Sequence, residues 1–340
     1  MGSLMLQEAL ASASVVSAQS REVDQGIQAL ARTLRERPPS VALTVARGSS
    51  DHAANYFAYL TMSELGVPVV SLPMSLVTLN HAPLVVDGQL AISVSQSGQS
   101  PDLVETMSTL RARGATTVAF VNRTESPLAE ACQWTVPLSA GPERSVAATK
   151  SYIGALSALA RLVAHWREDP KLLAALGTLP ARLEEATQSD GGTAVDALAV
   201  SDRAMVVGRG LGFAVALEAA LKLKETSSIQ AEAFSGAEIR HGPMALIEQG
   251  YPLFVFALRG AEQKGLIELA EEMRGRGARV ILAAPADIQG RDVTLAVADD
   301  ESLDPILAIQ TFYLIAARVA EMRGFNPDVP RHLSKVTHTR

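Results

Sequence analysis

The chain has 340 residues, a formal net charge of −6 and 48% hydrophobic residues, of which few are aromatic. This length favours about two domains, and the acidic balance argues against a nucleic acid as the main partner. The single cysteine, Cys132, excludes a disulfide framework and a cysteine-based zinc site within one chain.

Helical segments alternate with short apolar strands through the first half of the chain, a pattern typical of α/β folds with a parallel sheet. Helical periodicity covers residues 5–36 and ends at Pro38-Pro39. A helical connection over residues 168–201, with Gly191-Gly192 inside it, predicts a domain boundary. We predict strands over residues 41–46, 67–70, 90–95, 116–121 and 134–138, and helices over residues 53–65, 101–113, 127–131 and 150–166.

A hydroxyl-rich loop lies between the strand at 90–95 and the helix that starts at Pro101. Ser100 fits the N-cap position of that helix, and Pro101 fits its first turn because a missing N–H costs nothing there. The loop offers backbone N–H groups, the positive end of the helix dipole and the hydroxyls of Ser95, Ser97 and Ser100. These groups suit a phosphate dianion, and the absence of a GxxxxGK[ST] pattern favours a sugar monophosphate over a nucleotide triphosphate. The alternative is a polar turn that binds nothing.

A second Gly/Ser turn, Arg47–His52, follows the strand at 41–46. Neighbouring parallel strands end at the same edge of a sheet. If these two strands are neighbours, both turns face one crevice at that edge.

The second half of the chain repeats the first. Met205–Gly210 echoes Leu43–Gly48, and Met273–Ala278 echoes Leu110–Ala115 at nearly the same offset. A period of domain size indicates a duplicated βαβ sandwich and not a solenoid. The second copy lacks the serine-rich loop, so we expect only the first copy to bind phosphate.

A helix with regularly spaced charges follows Gly210 in the second copy. Glu218, Lys222 and Glu225 stack at i, i+4 and i+7 on one side of it. That spacing alone favours a solvated charged stripe, whereas the flanking Ala and Leu residues favour a mostly buried helix. A carboxylate held in a buried helix beside a lysine is a candidate base for proton transfer.

Two further segments contain side chains suited to catalysis. His241 precedes Gly-Pro, so we expect it at a helix end or turn from which it can reach a cleft, although a lone histidine is more often structural. The C-terminal segment Asp328–Arg340 contains Lys335. This segment is either a frayed basic tail or a proline-anchored lid that folds over a site.

Taken together, these segments resemble the isomerase domain of glucosamine-6-phosphate synthases, a family with two tandem sugar isomerase (SIS) domains. The resemblance covers nearly the whole chain and implies an α/β fold. Each SIS domain is then a three-layer αβα sandwich with a mainly parallel five-stranded sheet. The motifs that carry the resemblance, in the family's order, are Arg47–Ser50, Ser95–Gly98, Val146–Lys150, Leu217–Glu225 with Glu232-Ala233, Glu238–Pro243 and Pro330–Lys335.

The resemblance also implies a domain organisation and a phosphate site. The implied segments are an N-terminal helical segment (1–36), SIS domain 1 with the phosphate site (37–167), a helical connection (168–200), SIS domain 2 with the catalytic Glu and His (201–322) and a C-terminal tail that closes over the site (323–340). Phosphate binding is assigned by motif match to Ser49, Ser50, Ser95, Gln96, Ser97 and Ser100.

The catalytic roles follow from the same resemblance. Glu225 moves a proton between C1 and C2 of the sugar, with Lys222 in support. His241 opens the sugar ring and reaches in from the neighbouring subunit of a homodimer, and Lys335 forms or assists an imine at C2. The backbone of Val146 and Ala147 contacts the sugar. No cofactor is expected, because one carboxylate suffices for the proton shuttle and the sequence lacks paired His/Asp spacing for a metal.

The chain departs from the synthase family because no glutaminase segment with a catalytic cysteine precedes the first SIS domain. Arg47, Gln99 and Ala148 also differ from the residues usual at their positions. The missing glutaminase favours deamination of glucosamine 6-phosphate to fructose 6-phosphate and ammonia, whereas the three substitutions leave the substrate and the reaction direction open. The alternatives are another amino-sugar or fructosamine 6-phosphate isomerase or deglycase, a stand-alone synthase domain, and a non-catalytic sugar-phosphate sensor.

The expected compartment is the cytoplasm, with a hexose or hexosamine 6-phosphate as ligand. A lone cysteine suits a reducing environment, and the N-terminus lacks a basic stretch followed by an apolar core. No apolar run appears long enough to span a bilayer, so no membrane partner is expected.

Overall fold

The computed structural model describes residues 2–335, which form two compact units. The first unit contains residues 14–143 and 150–177 together with Lys335. The second unit contains residues 2–13, 144–149 and 178–334. Met1 and residues 336–340 of the predicted tail lie outside the described residues.

The elements alternate between helix and strand along most of the chain. The helices are α1 (Leu4–Leu10), α2 (Ser12–Glu22), α3 (Asp24–Glu36), α4 (Ser49–Leu65), α5 (Ser75–Thr78), α6 (Pro101–Ala112), α7 (Pro127–Ala131), α8 (Lys150–Arg167), α9 (Pro170–Ala186), α10 (Gly192–Ala199), α11 (Leu211–Ser227), α12 (Gln263–Gly275) and α13 (Asp304–Met322). The strands are β1 (Ala42–Val45), β2 (Val69–Ser71), β3 (Leu90–Ser95), β4 (Thr116–Val121), β5 (Trp134–Pro137), β6 (Arg203–Gly208), β7 (Gln230–Ser235), β8 (Pro252–Phe256), β9 (Arg279–Pro285) and β10 (Val293–Leu295). Short 3₁₀ helices cover Glu238–Arg240, Pro243–Leu246 and Glu301–Leu303.

The first unit is built on a parallel five-stranded sheet in the order β2-β1-β3-β4-β5. β1 and β3 are buried along their whole length, as expected for strands that are covered on both faces. The buried hydroxyl of Ser93 donates to the carbonyl of Val45 at 2.8 Å, which satisfies a polar group in the core and ties β3 to β1.

The second unit repeats this arrangement with the sheet order β10-β9-β8-β6-β7, again parallel throughout. β6 takes the place of β1, and β7 and β8 take the places of β2 and β3. The internal duplication and the predicted fold class, two parallel five-stranded sheets covered by helices, are therefore confirmed.

The structure confirms the predicted bounds of several elements, including the strands at 90–95 and 116–121. One predicted boundary was wrong, and one strand was not predicted. Helix α4 begins at Ser49 and not at Ala53, because Gly48 makes the turn with a positive φ of 55° and the helix starts directly after it. The strand β7 was missed, because Gln230-Ala231-Glu232-Ala233 has no β-branched residue to indicate it.

The apolar helix α13 corrects the expectation about membrane-spanning segments. By length and composition, residues Glu301–Met322 are apolar enough to cross a membrane. However, 89% of the apolar window is buried, and α13 packs against α11, α10 and α1 of the same unit. Its hydrophobicity is therefore that of a core helix.

The turn at Gly98 gives a stability test of the serine-rich loop. Gly98 has a φ of 63°, and a methyl group there would lie 2.2 Å from Ser126 Oγ and 2.7 Å from its Cβ. Gly141 has a similar φ of 61° with nothing within 4 Å. We expect Gly141→Ala to cost about 1 kcal/mol from backbone strain, and Gly98→Ala to cost about 1–3 kcal/mol more from the clash. Urea unfolding of both variants measures this, and equal losses would show that the loop is not packed in this way.

Candidate active site

The serine-rich loop and the Arg47–Ser50 turn meet at one edge of the first sheet. β1 pairs in parallel with β3, with Val45 opposite Ser93, so both strands end side by side. Because β2 lies on one side of β1 and β3 on the other, this is the switch point where open α/β sheets form a crevice. The crevice holds a cavity of about 260 Å³, the serine pocket, lined by Arg47, Gly48, Ser50, Val94, Ser95, Gln96, Ser97, Ser100, Leu103 and Lys335.

Hydroxyl groups shape the loop that lines the serine pocket. The N–H of Gly98 donates to Ser95 Oγ at 3.0 Å, and the N–H of Gln99 donates to Ser97 Oγ at 3.3 Å. A hydroxyl that accepts such a bond keeps its own proton for donation to another group. Ser100 is the N-cap of α6 as predicted, but its side chain makes no cap hydrogen bond and lines the pocket instead.

Most of the predicted phosphate ligands therefore lie together. Ser50, Ser95, Gln96, Ser97 and Ser100 line the serine pocket, while Ser49 is the first residue of α4 and is not among the lining residues. The N-termini of α4 and α6 both lie at this edge, and their dipoles favour an anion there. The arrangement suits a tetrahedral anion held by hydroxyl and amide donors.

Lys335 also lines the serine pocket, and its partner is a buried carboxylate. Its Nζ donates to Glu143 Oε2 at 2.7 Å. Glu143 is fully buried and also accepts bonds from the N–H and the hydroxyl of Ser151, at 3.0 and 2.7 Å. Burial, the largest single influence, would raise the pKa of Glu143, but Lys335 and the hydrogen bonds together hold that pKa below its ordinary value. Sequence reasoning did not find this partner, because 192 positions separate the two residues and no spacing links them.

The charged helix α11 contains a buried cluster in the second unit. Lys222 Nζ lies 3.4 Å from Glu218 Oε1 and 2.5 Å from Glu225 Oε2. The side chains of Lys222 and Glu218 are fully buried, whereas that of Glu225 is 20% exposed. The hydroxyl of Tyr313 donates to Glu218 at 3.1 Å. The structure thus confirms the prediction of a mostly buried helix and excludes a solvated charged stripe at these three residues.

The cluster on α11 keeps its lysine charged. Burial is the largest influence and would lower the pKa of Lys222, but Glu218 and Glu225 hold that pKa above its ordinary value. Glu218 is closed off by Lys222 and Tyr313. Of the two carboxylates in this cluster, that of Glu225 is therefore the more exposed.

The other predicted site residues belong to the second unit as well. His241 is exposed in the turn after the 3₁₀ helix Glu238–Arg240, as predicted for its place before Gly-Pro. The backbone N–H of Val146 donates to the carbonyl of Asp328 at 3.2 Å, and Ala147 is buried. Within residues 2–335, no group of three or more His, Cys, Asp or Glu side chains is placed to hold a metal ion.

The switch point of the second sheet differs from that of the first in the residue beside its positive-φ glycine. Gly210 precedes α11 as Gly48 precedes α4, and its φ of 57° matches. A methyl group on Gly210 would lie 2.7 Å from Glu262 Oε1. A carboxylate, that of Glu262, therefore lies beside the glycine turn of the second sheet, at the position equivalent to Gly48 in the first.

Comparison with known proteins agrees with the duplicated α/β architecture. The SIS domain family matches residues 39–164 and 197–284, and the chain belongs to that family. The glutamine–fructose-6-phosphate aminotransferase (isomerizing) of Aeropyrum pernix is 35% identical over 318 residues, covering 86% of this chain and 50% of the relative. The chain thus spans about half the length of the curated relatives it matches.

Two solved structures share the fold. A protein of Silicibacter pomeroyi DSS-3, provisionally named a phosphosugar isomerase, is 37% identical with a TM-score of 0.91, covering 96% of this chain and 100% of that one. The glucosamine-6-phosphate deaminase of Thermotoga maritima has a TM-score of 0.73 at 23% identity, covering 96% and 99% of the two chains. At that identity, the likeness to the deaminase is one of fold alone.

The Lys335–Glu143 pair predicts an unusual pH dependence. In the parent chain, the lowered pKa of Glu143 contributes stability at pH values above 4.5, the ordinary pKa of this group. This contribution is lost as the pH falls through the lowered pKa. In Lys335→Met the buried carboxylate loses its cationic partner, so we expect the variant to lose most stability relative to the parent where Glu143 is ionised. We expect a loss of about 1–3 kcal/mol at pH 7 that shrinks towards pH 4.

Urea unfolding of the parent and variant at several pH values measures this difference. Lys264→Met is the control, because the side chain of Lys264 is 87% exposed and its loss should change little at any pH. A stability gap between Lys335→Met and the parent that is absent at pH 7, or that widens as the pH falls, would contradict the assigned pair.

Proposed function

We propose that the chain is an isomerising glucosamine-6-phosphate deaminase, which converts glucosamine 6-phosphate and water to fructose 6-phosphate and ammonia. The observation that carries this proposal is the accessible carboxylate of Glu225 beside the buried ammonium of Lys222, 2.5 Å away. A carboxylate held in this way is a base with a fixed position, as proton transfer at a sugar carbon requires.

The serine pocket would bind the 6-phosphate. Its lining offers hydroxyls, an amide side chain and two cationic side chains, Arg47 and Lys335. A nucleotide is not favoured, because a cavity of about 260 Å³ suits a small monoester group. The relatives named above as phosphosugar isomerase and fructose-6-phosphate aminotransferase support this class of ligand.

The proposed reaction has three steps with balanced atoms. His241 donates a proton to the ring oxygen while the O1 hydroxyl gives one up, which opens the ring to the amino aldehyde. Glu225 then removes the proton from C2 while the aldehyde oxygen takes up a proton, and it delivers a proton to C1 of the resulting enolamine, which yields the protonated imine of fructose 6-phosphate. Water adds to the imine carbon, and ammonia leaves from it with the release of one proton. Lys335 assists at C2, and the backbone of Val146 and Ala147 contacts the sugar.

The proposal also includes a cytoplasmic homodimer in which His241 is supplied by the neighbouring subunit. We assign residues 37–167 and 201–322 to the two SIS domains and residues 323–340 to a tail that closes over the site. Mixed dimers of a Glu225 variant and a His241 variant would regain activity only if the two residues act across a subunit boundary.

The one cysteine has no role in the proposed reaction. Burial raises the pKa of Cys132 to about 12, so this thiol is inert. The proposed direction uses water as the abundant co-substrate, and deamination is favoured wherever ammonia is scarce.

The direct test is ammonia release from glucosamine 6-phosphate by the purified chain, with galactosamine 6-phosphate and fructose 6-phosphate plus ammonium as parallel reactions. Equimolar ammonia and fructose 6-phosphate support the deaminase. Turnover only in the presence of fructose 6-phosphate and ammonium would identify a synthase domain. No turnover of any amino sugar, with tight binding of a hexose phosphate, would leave the deglycase or the sensor.

Replacement of the proposed base separates catalysis from binding. We expect Glu225→Gln to reduce turnover about 10²–10⁴-fold, because a positioned general base contributes that much. The affinity for fructose 6-phosphate should stay near that of the parent, since the serine pocket is unchanged. Glu268→Gln is the control, because Glu268 is an exposed carboxylate on α12 whose loss should not affect turnover. Full activity of Glu225→Gln would remove Glu225 from the mechanism.

A further inference from the structure

Arg47 stands at the serine pocket with a partner that fixes its orientation. Its side chain is 54% exposed and lines the pocket. Its Nε and one Nη both lie against Asp102 Oδ2, at 2.9 and 2.8 Å. The side chain of Asp102 is 1% exposed, and its Oδ1 accepts the N–H of Leu103 at 2.9 Å in the first turn of α6.

This contact uses one edge of the guanidinium group. Arginine has five N–H donors in a planar fork, and Asp102 engages the edge that contains Nε. The group is therefore held by a buried carboxylate while donors on its other side are turned away from that carboxylate. An arginine that is oriented before the ligand arrives loses little conformational freedom on binding.

The charge balance of the pocket indicates what these donors bind. The serine hydroxyls and backbone N–H groups offer hydrogen bonds without net charge. The second cation of the pocket, Lys335, is paired with Glu143 at 2.7 Å. Asp102 places a negative charge at the start of α6, where it would repel a phosphate if Arg47 did not lie against it. Arg47 thus both offsets Asp102 and presents N–H donors in a fork that matches two phosphate oxygens.

We propose that Arg47 is a direct ligand of the phosphate group in the serine pocket and that Asp102 positions it. The proposal rests on the proposed function, because it takes the pocket to be a phosphate site. It adds a specificity-determining residue: with Arg47 in place, the pocket prefers a tetrahedral anion over an uncharged sugar hydroxymethyl group. The hydroxyl ligands alone would not discriminate to the same extent.

The internal duplication provides a matched control. Arg209 precedes Gly210 as Arg47 precedes Gly48, and it is also exposed after a buried strand. Its sheet edge contains the carboxylate of Glu262 beside Gly210 in place of a hydroxyl loop. The two arginines are therefore equivalent in the repeat, and only the first belongs to an anion pocket.

The test measures binding of inorganic phosphate and of fructose 6-phosphate to the purified full chain, by calorimetry and by ligand-dependent shifts in the unfolding temperature. We expect Arg47→Gln to reduce the affinity for both ligands by a similar factor of about ten or more, because it removes a pair of charge-assisted hydrogen bonds. Arg47→Lys should restore part of the affinity, because it keeps the charge without the fork. Arg209→Gln should bind both ligands like the parent.

Two results would overturn the assignment of Arg47. One is an unchanged phosphate affinity in a folded Arg47→Gln protein. The other is a loss confined to fructose 6-phosphate, which would place Arg47 on the sugar. The readout does not depend on turnover. If the parent chain releases no ammonia but Arg47→Gln still weakens phosphate binding, only the deaminase proposal is contradicted. If the parent binds neither ligand, both proposals fail.

Discussion

The parallel pairing of β1 with β3 is the constraint on which the serine pocket depends. Each strand ends in a turn with a positive-φ glycine, Gly48 after β1 and Gly98 after β3. Because the register places Val45 opposite Ser93, the two turns meet at one edge. A one-residue slip would turn every side chain of β3 to the opposite face and disperse the hydroxyls. The buried Ser93–Val45 hydrogen bond helps to keep that register.

Buried charge is handled in the same way in both units. An isolated ammonium or carboxylate in a core would give up its proton or take one up, because desolvation of the charged form is too costly. The charged form of Lys222 is stabilised by two carboxylates. That of Glu143 is stabilised by Lys335 and by two hydrogen bonds from Ser151. Such pairs contribute little net stability, but they hold charged groups in fixed positions. Fixed charge is what a proton-transfer site and a phosphate site both need.

The local pattern of the chain predicted much of this fold. Alternating helices and apolar strands indicated an α/β fold with a parallel sheet, and the echo of Leu43–Gly48 in Met205–Gly210 indicated a second copy of it. The order of the strands in the two sheets comes from the structure. Contacts between residues distant in sequence could not be predicted. These are Lys335 with Glu143, Arg47 with Asp102, and Tyr313 with Glu218. No periodicity connects such residues, since only the tertiary fold brings them together. The edge strand β7 was missed for a local reason, because its composition lacks the β-branched residues that indicate a strand.

The two copies differ at their switch points. The first has hydroxyls there, whereas the second has Glu262 beside Gly210 and contains Glu225 on the following helix. We infer that this carboxylate acts at C2 of a phosphorylated amino sugar. The most direct measurement incubates glucosamine 6-phosphate deuterated at C2 with the purified chain and follows the products by NMR. We expect fructose 6-phosphate equimolar with ammonia, with the deuterium at C1 or in water. Ammonia released with a product that keeps deuterium at C2 would contradict it.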